Sequence, residues 1–237
     1  MQRLYSLRQG IRRCRQGGRR CESALCAVCS TARASQNRRS LLDSLTTAQH
    51  GTVLLWTPTI AEAPGESLRS HWSALVQVFQ TTTAGGWLKR RGVSGTARAI
   101  EVEHTAAGWH PHGHLLICFP KRLSRDAARE FALTLRDRWI VKAAELDRHA
   151  SPQGQHIALI GASDLHRAAR YVTKSRIRAN ASDTPSALWS SVRDGDADAL
   201  SLVHELEAGS FRRRAWTTTG TCRPVLDLDD LLASGAS

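Results

Sequence analysis

The sequence predicts an α+β fold in which helices pack on a largely antiparallel sheet. The main observation is the order of elements: apolar periodicity indicates strand, helix, two strands, helix, strand and helix along the chain. A second observation is a hairpin signal, because Ala106, Ala107 and Gly108 supply a turn between two strands. The composition agrees, since 41% hydrophobic and 23% charged residues are ordinary for a folded chain of 237 residues.

Each predicted element has its own local pattern. Strands are expected where apolar and β-branched residues alternate or run together, at 52–57, 96–105, 112–119 and 155–160. Helices are expected at 67–80 and 124–148, with another starting at Asp164, a residue type that favours the N-cap. Pro58 should end the first strand or place it at a sheet edge, because proline cannot donate to a strand ladder.

The charge of the chain is its most unusual property. Thirty-three basic and twenty-one acidic side chains give a net charge of +12, and only four of the basic residues are lysines. Within residues 1–39, ten arginines accompany a single acid, Glu22. The planar guanidinium group binds phosphate oxygens in pairs, so this balance indicates a nucleic acid partner. The alternative is a soluble protein with a merely cationic surface.

A membrane partner is not expected. The longest strongly apolar run, residues 115–119, is far shorter than the ~20 residues that a bilayer span requires. The first twenty residues carry arginines but no apolar segment of a secretory signal. We therefore expect a cytoplasmic protein.

Residues 109–114, Trp-His-Pro-His-Gly-His, form the densest cluster of candidate functional side chains. On a strand, residues two apart point to the same face, so His112 and His114 can bind one metal ion. Glu101 and Glu103 lie on the preceding strand, where the hairpin can bring either carboxylate beside the histidines. Two imidazoles and a carboxylate suit Mn²⁺, Mg²⁺ or Zn²⁺ acting as a Lewis acid. The alternative is a hydrogen-bonded histidine pair without metal.

Tyr171 lies on the helix that begins at Asp164. An apolar stripe occupies one side of this helix, and the opposite side carries Arg167, Tyr171, Lys174 and Arg178. A tyrosine among cations suits a hydroxyl that attacks a phosphodiester, with Lys174 lowering the phenol pKa or stabilising charge on the phosphate. The alternative is a surface tyrosine on a basic helix.

The six cysteines fall into two groups. Four lie in the arginine-rich N-terminal segment, and only the last two of them have the spacing of a zinc knuckle: Cys14, Cys21, Cys26 and Cys29. They are a candidate structural zinc site, or else reduced thiols. A segment ordered by zinc would follow the DNA backbone. The two remaining cysteines, Cys118 and Cys222, are expected to be small core residues.

The histidine pair and Tyr171-x-x-Lys174, in this order, resemble the rolling-circle replication initiator (Rep) proteins of plasmids, which belong to the HUH endonuclease superfamily. The resemblance covers about residues 14–225. Further positions that look like family positions are Trp87, Gly92-Val93-Ser94-Gly95, Ala99-Ile100-Glu101-Val102, the block 108–116, Arg138-Trp139, the block 168–174, Arg213, Trp216, Gly220 and the pair Cys26 and Cys29.

The resemblance implies a metal-dependent endonuclease that nicks and rejoins single-stranded DNA at an origin. Its tyrosine would form a 5′-phosphotyrosine link and leave a 3′-hydroxyl that primes replication. The roles that it implies are Mn²⁺ or Mg²⁺ ligation by His112, His114 and Glu101, attack by Tyr171, and assistance by Lys174. Residues that would support the ligands or face the substrate are His110, Glu103, Arg167 and Arg178. Host helicase and replication machinery are the implied protein partners.

With the resemblance, we expect three regions. Residues 1–45 form the small Arg/Cys-rich N-terminal segment that precedes the HUH endonuclease-like fold. Residues 46–180 form the nicking and joining domain, and residues 181–237 form a C-terminal extension with a frayed acidic end.

Two residues depart from the family pattern. Gly113 stands between the metal histidines, where a bulky apolar residue is usual, and Pro58 interrupts a Thr-apolar-Thr motif. Termination of the replication round has no assigned residue, because Arg167 lies one turn before Tyr171 and Asp164 is the nearest acid. Two alternatives therefore stay open: a non-catalytic or degenerate DNA-binding regulator derived from this family, and a related single-tyrosine transposase or relaxase.

Overall fold

The fold is known from a computed structural model, which describes residues 26–48, 50–105, 107–173, 177–178, 191–210 and 213–223. Within these residues, six strands form one sheet: β1 (Thr52–Thr57), β2 (Gly95–Thr105), β3 (Gly108–Phe119), β4 (His156–Ile160), β5 (Ile177–Arg178) and β6 (Trp216–Gly220). The strand order is β4-β1-β3-β2-β5, and β6 also pairs with β2. In the part of the chain that the structure describes, only the short β2–β5 pairing is parallel. The predicted largely antiparallel sheet is confirmed.

Helices cover both faces of this sheet. They are α1 (Ala27–Thr47), α2 (Leu68–Thr83), the short α3 (Trp87–Arg90), α4 (Arg125–Ala144), α5 (Leu165–Val172) and α6 (Ala197–Ser210). On one face, α2 packs against α4, α6 and β3 around a core that includes Trp56, Phe79 and Trp139. On the other face, α1 packs against α5, and the core includes Leu41, Leu116 and Ala169. This layered arrangement confirms the predicted α+β class.

The predicted elements are present, with shifted ends. Strand β3 begins at Gly108, four residues before its expected start, because the hairpin pairing with β2 continues to the turn. Helix α4 ends at Ala144, four residues before its expected end. Here Asp147 adopts a left-handed conformation (φ 54°) and the Arg148 N–H donates to the Ala143 carbonyl at 2.9 Å, a geometry typical of helix C-termini.

Asp164 takes the predicted N-cap position of α5, but its side chain does not cap the helix. Its side chain makes no capping hydrogen bond, because Asp164 ends a 3-10 turn (Ala162–Asp164) that runs directly into α5. The carboxylate instead forms an ion pair with Arg167 at 3.0 Å. Ser67 and Ser124, in contrast, accept hydrogen bonds from the first turns of α2 and α4.

Helix α1 crosses position 45, which we expected to separate the N-terminal segment from the nicking domain. Leu41 and Leu45 are buried in the same core as α5, so this helix is anchored on the sheet. The expected acidic C-terminal end and Cys14 and Cys21 lie outside the described residues. Among the described residues, the structure contains no helix with the length and apolar character needed to cross a membrane.

Gly113 and Pro58 fit each other in the structure. Strand β1 lies inside the sheet and ends at Thr57, and the Gly113 N–H then donates to the Pro58 carbonyl at 3.0 Å. A Cβ atom at Gly113 would lie 2.5 Å from Phe79 Cζ and 3.1 Å from Pro58 Cγ. The buried Phe79 ring cannot retreat, because it packs edge-on against Trp56 and Trp139. The glycine therefore makes room for the aromatic core behind β3.

This packing predicts the effect of substitution at Gly113. Gly113→Ala should lower the free energy of unfolding by about 1–3 kcal/mol, because the added methyl group overpacks the Phe79 ring. Denaturant unfolding would measure the loss. Adding Phe79→Leu to Gly113→Ala should restore part of the lost free energy of unfolding, because the smaller side chain leaves space for the added methyl group.

Gly161→Ala is the matched control. A Cβ atom there would meet its nearest neighbour at 3.7 Å, an ordinary contact, so stability should stay within about 0.5 kcal/mol of the original. Equal stability of the two alanine variants would contradict the overpacking argument.

Candidate metal and nucleophile site

The β2–β3 hairpin brings the predicted acidic and histidine side chains to one face of the sheet. Glu101 is paired with His112, and Glu103 is paired with His110. Because alternate residues of a strand share a face, His114 lies on the same face as these four. This face continues, toward the other end of β3, into the core under α1 and α5.

Glu101 lies between two imidazole rings. Its Oε2 atom is 2.8 Å from His114 Nε2 and 3.5 Å from His112 Nε2, and all three side chains are buried. Burial raises the pKa of Glu101, but hydrogen bonds and electrostatic attraction from His112 and His114 outweigh it and lower the pKa to about 2. The carboxylate is therefore charged at neutral pH.

The donor set fits a divalent cation. One ligand atom from each of Glu101, His112 and His114 lies within 4.8 Å of the others. A charged carboxylate oxygen and imidazole nitrogens are ligands that Mn²⁺, Mg²⁺ and Zn²⁺ accept. The structure thus brings together the three residues that the sequence predicted as metal ligands.

The Nδ1 atom of each imidazole, on the side of the ring away from Glu101, also has a polar neighbour. His114 Nδ1 lies 3.3 Å from Thr57 Oγ1, and His112 Nδ1 lies 3.4 Å from the His110 carbonyl oxygen. Such contacts fix the ring orientation, as partners of metal-bound histidines commonly do. Sequence reasoning missed the part that Thr57 plays. No local pattern of the sequence indicates this contact, because it depends on the pairing of β1 with β3.

Tyr171 contacts this cluster from α5. Its ring centroid lies 4.7 Å from that of His114, at an interplanar angle of 68°. Ala168, Ala169 and Val172 are buried beneath the helix, which confirms the predicted apolar stripe and leaves Tyr171 37% exposed. Burial raises the pKa of Tyr171, and the negative charges of Glu101 and Glu103 raise it further. The phenol is therefore protonated at neutral pH.

The other predicted site residues contact groups outside the Glu101, His112 and His114 cluster or lie outside the described residues. His110 Nδ1 is 3.1 Å from Glu62 Oε1, and burial, together with His112, lowers the pKa of His110. Arg167 is 83% exposed and pairs with Asp164. The backbone of Arg178 pairs with that of Glu103 in the sheet, but its side chain and all of Lys174 lie outside the described residues.

The cysteines of the described region are buried. Cys26 and Cys29 lie at the start of α1, whereas Cys118 and Cys222 lie in the core under α1 and α5. The burial of Cys118 and Cys222 confirms that they are core residues. Their thiols contact each other, with 3.3 Å between the sulfur atoms.

A comparison with known protein families shows which family the chain belongs to. The Rep_1 family, described as replication protein, matches residues 12–231. The chain belongs to this replication protein family. The resemblance to plasmid replication initiators is therefore confirmed, and membership indicates a role in initiating plasmid replication and implies DNA binding. No curated protein and no solved structure matches this replication protein at a significant level.

The contact of Thr57 with His114 yields a prediction about metal affinity. Thr57→Val keeps the shape of the side chain but removes the hydroxyl that holds His114 Nδ1. We expect Mn²⁺ to bind about 10- to 100-fold more weakly, because an outer hydrogen bond orients the ligand. A Mn²⁺ titration that follows the free ion by paramagnetic resonance would measure this change.

Thr134→Val is the control for this substitution. Thr134 lies on α4, and its hydroxyl donates to the Glu130 carbonyl on the exposed side of that helix. Its Mn²⁺ affinity should equal that of the original protein. Unchanged affinity in Thr57→Val would show that the hydroxyl does not support the site.

Proposed function

We propose that this replication protein is a metal-dependent HUH-type endonuclease and strand transferase that nicks one strand of a plasmid origin. The observation that carries the proposal is the contact of the Tyr171 ring with His114. A candidate nucleophile thereby lies against a candidate metal ligand, and both belong to the pattern that resembles plasmid initiators. Charge supports the substrate class, because a net charge of +12 favours a phosphate backbone.

His112, His114 and Glu101 would hold the divalent cation, Mn²⁺ or Mg²⁺. When bound, such an ion would polarise the scissile phosphate as a Lewis acid. The buried, charged Glu101 supplies the negative charge that a cation needs at this place. Thr57 and the His110 carbonyl orient the two imidazoles from behind.

Tyr171 would carry the covalent step. Its hydroxyl oxygen attacks the phosphorus, the phenol proton leaves to a base or to solvent, and the bond from phosphorus to the 3′-oxygen breaks. The 3′-oxygen takes up a proton and becomes the primer end, while the 5′-phosphate stays on Tyr171. Attack by a 3′-hydroxyl on this link reverses the step and rejoins the strand. In this scheme Lys174 stabilises the charge that develops on the phosphate.

The rest of the chain would serve DNA binding. Residues 1–45 carry the arginines and the candidate zinc ligands Cys14, Cys21, Cys26 and Cys29, and would follow the DNA backbone. Residues 46–180 would form the domain that carries the nicking chemistry, and residues 181–237 would form a C-terminal extension of this domain. His110, Glu103, Arg167 and Arg178 would support the ligands or face the DNA. A cytoplasmic protein that cooperates with host helicase fits this role.

The alternative of a non-catalytic regulator derived from this family depended on Gly113 and Pro58. Gly113 on β3 packs against Pro58, and His112, His114 and Glu101 remain within 4.8 Å of one another, the spacing that ligands of one ion need. We therefore favour the enzyme. A transposase or relaxase would use the same chemistry, but the family match favours replication.

The proposal predicts a covalent adduct on one of two tyrosines. End-labelled single-stranded oligonucleotides that span candidate origins would be incubated with protein and Mn²⁺ or Mg²⁺, then resolved on a denaturing gel. The original protein and Tyr5→Phe should both give the adduct, whereas Tyr171→Phe should give none and still bind DNA. EDTA and His114→Ala should also abolish the adduct, because both remove the metal.

Two outcomes would refute the proposal. An adduct that persists in Tyr171→Phe would assign another nucleophile. Salt-sensitive DNA binding without an adduct, on every oligonucleotide and with both metals, would instead support the non-catalytic regulator.

A further inference from the structure

A second cluster of metal-binding side chains lies at the other end of β3. His50 precedes β1, Cys118 is next to the last residue of β3, and Cys222 follows β6. One ligand atom from each of the three lies within 4.8 Å of the others. The three segments are far apart in the sequence, so the fold alone brings them together.

The imidazole of His50 points to a missing ligand. Both of its ring nitrogens are inaccessible to solvent, and neither has a hydrogen-bond partner within the described part of the chain. A buried polar group without a partner destabilises the fold unless something binds it. The two sulfur atoms beside it are also fully buried and lie 3.3 Å apart.

We infer that His50, Cys118 and Cys222 bind a zinc ion that joins the start of β1, the end of β3 and the turn after β6. Two thiolates and an imidazole are a ligand set that Zn²⁺ prefers, and the oxygen-seeking Mg²⁺ and Mn²⁺ do not. Binding releases the two thiol protons to solvent. The two thiolate charges then balance the charge of Zn²⁺, so the buried complex is neutral.

The surroundings hold the ligands in place. The Gly51 N–H donates to the Phe119 carbonyl at 3.0 Å, which fixes the chain next to His50 against β3. The Ser44 hydroxyl donates to the Arg223 carbonyl at 2.9 Å, which fixes the chain next to Cys222 against α1.

A disulfide between Cys118 and Cys222 is the competing explanation. It would require the sulfur atoms to approach from 3.3 Å to about 2.05 Å. It would leave both nitrogens of His50 without a partner, whereas a zinc ion would bind one of these nitrogens together with both sulfur atoms. The zinc site is also distinct from the candidate zinc ligands of the N-terminal segment and from the nicking site.

Metal analysis of the full chain tests this inference. Zinc per chain would be measured by mass spectrometry of the purified protein, of Cys222→Ser and of His50→Gln. Both variants should contain one equivalent of zinc less than the original protein. His156→Gln, an exposed histidine on β4, is the control and should retain the full zinc content. Any zinc bound by the N-terminal cysteines is common to all four proteins and cancels.

A spectroscopic measurement covers the case in which Cys222→Ser fails to fold. In cobalt-substituted protein, the thiolate-to-cobalt absorption should weaken in His50→Gln as cobalt is lost from this site. It should be retained in His114→Ala, because the nicking site contains no thiolate. Unchanged zinc content in both Cys222→Ser and His50→Gln would overturn the inference. Recovery of a Cys118–Cys222 disulfide peptide from freshly purified protein would also overturn it.

Discussion

The register of the β2–β3 hairpin is the constraint on which the candidate site depends. It pairs Glu101 with His112, and the alternation of side chains then places His114 on the same face. A slip of one residue would turn these side chains toward the opposite face and bury charge in the aromatic core. Such a slip is unfavourable for a second reason. It would also move the buried apolar residues of these two strands out of the cores in which they pack.

The aromatic core behind β3 makes this register rigid. Trp56, Phe79 and Trp139 contact one another edge-on, with ring centroids 4.9–5.8 Å apart. Their packing reaches the backbone at Gly113, between the two metal-ligand candidates. The two faces of the sheet therefore have different roles. One face packs on the aromatic core, and the other carries the polar candidate site next to the smaller core under α1 and α5.

Period-two patterns explain why much of this could be predicted from the sequence. Glu101, His112 and His114 follow from strand alternation and a hairpin turn, and the buried stripe under Tyr171 follows from helical periodicity. The contact of Thr57 with His114 could not be predicted, because it depends on which strand lies next to β3. Local patterns placed Asp164 correctly at the start of α5 but not its side-chain contact, which is an ion pair with Arg167 and not a capping hydrogen bond.

The cluster of His50, Cys118 and Cys222 could not be predicted from the sequence either. No local pattern connects these three residues, because only the fold brings them together. Both clusters on β3 use the same face, since positions 114 and 118 differ by an even number of residues. Four residues of strand separate them by about 13 Å at 3.3 Å per residue. Leu116 fills the interval, buried against Ala97 and the alanines of α5. This apolar layer separates the carboxylate of the proposed nicking site from the thiols of the proposed zinc site, so the two sites would select different metals.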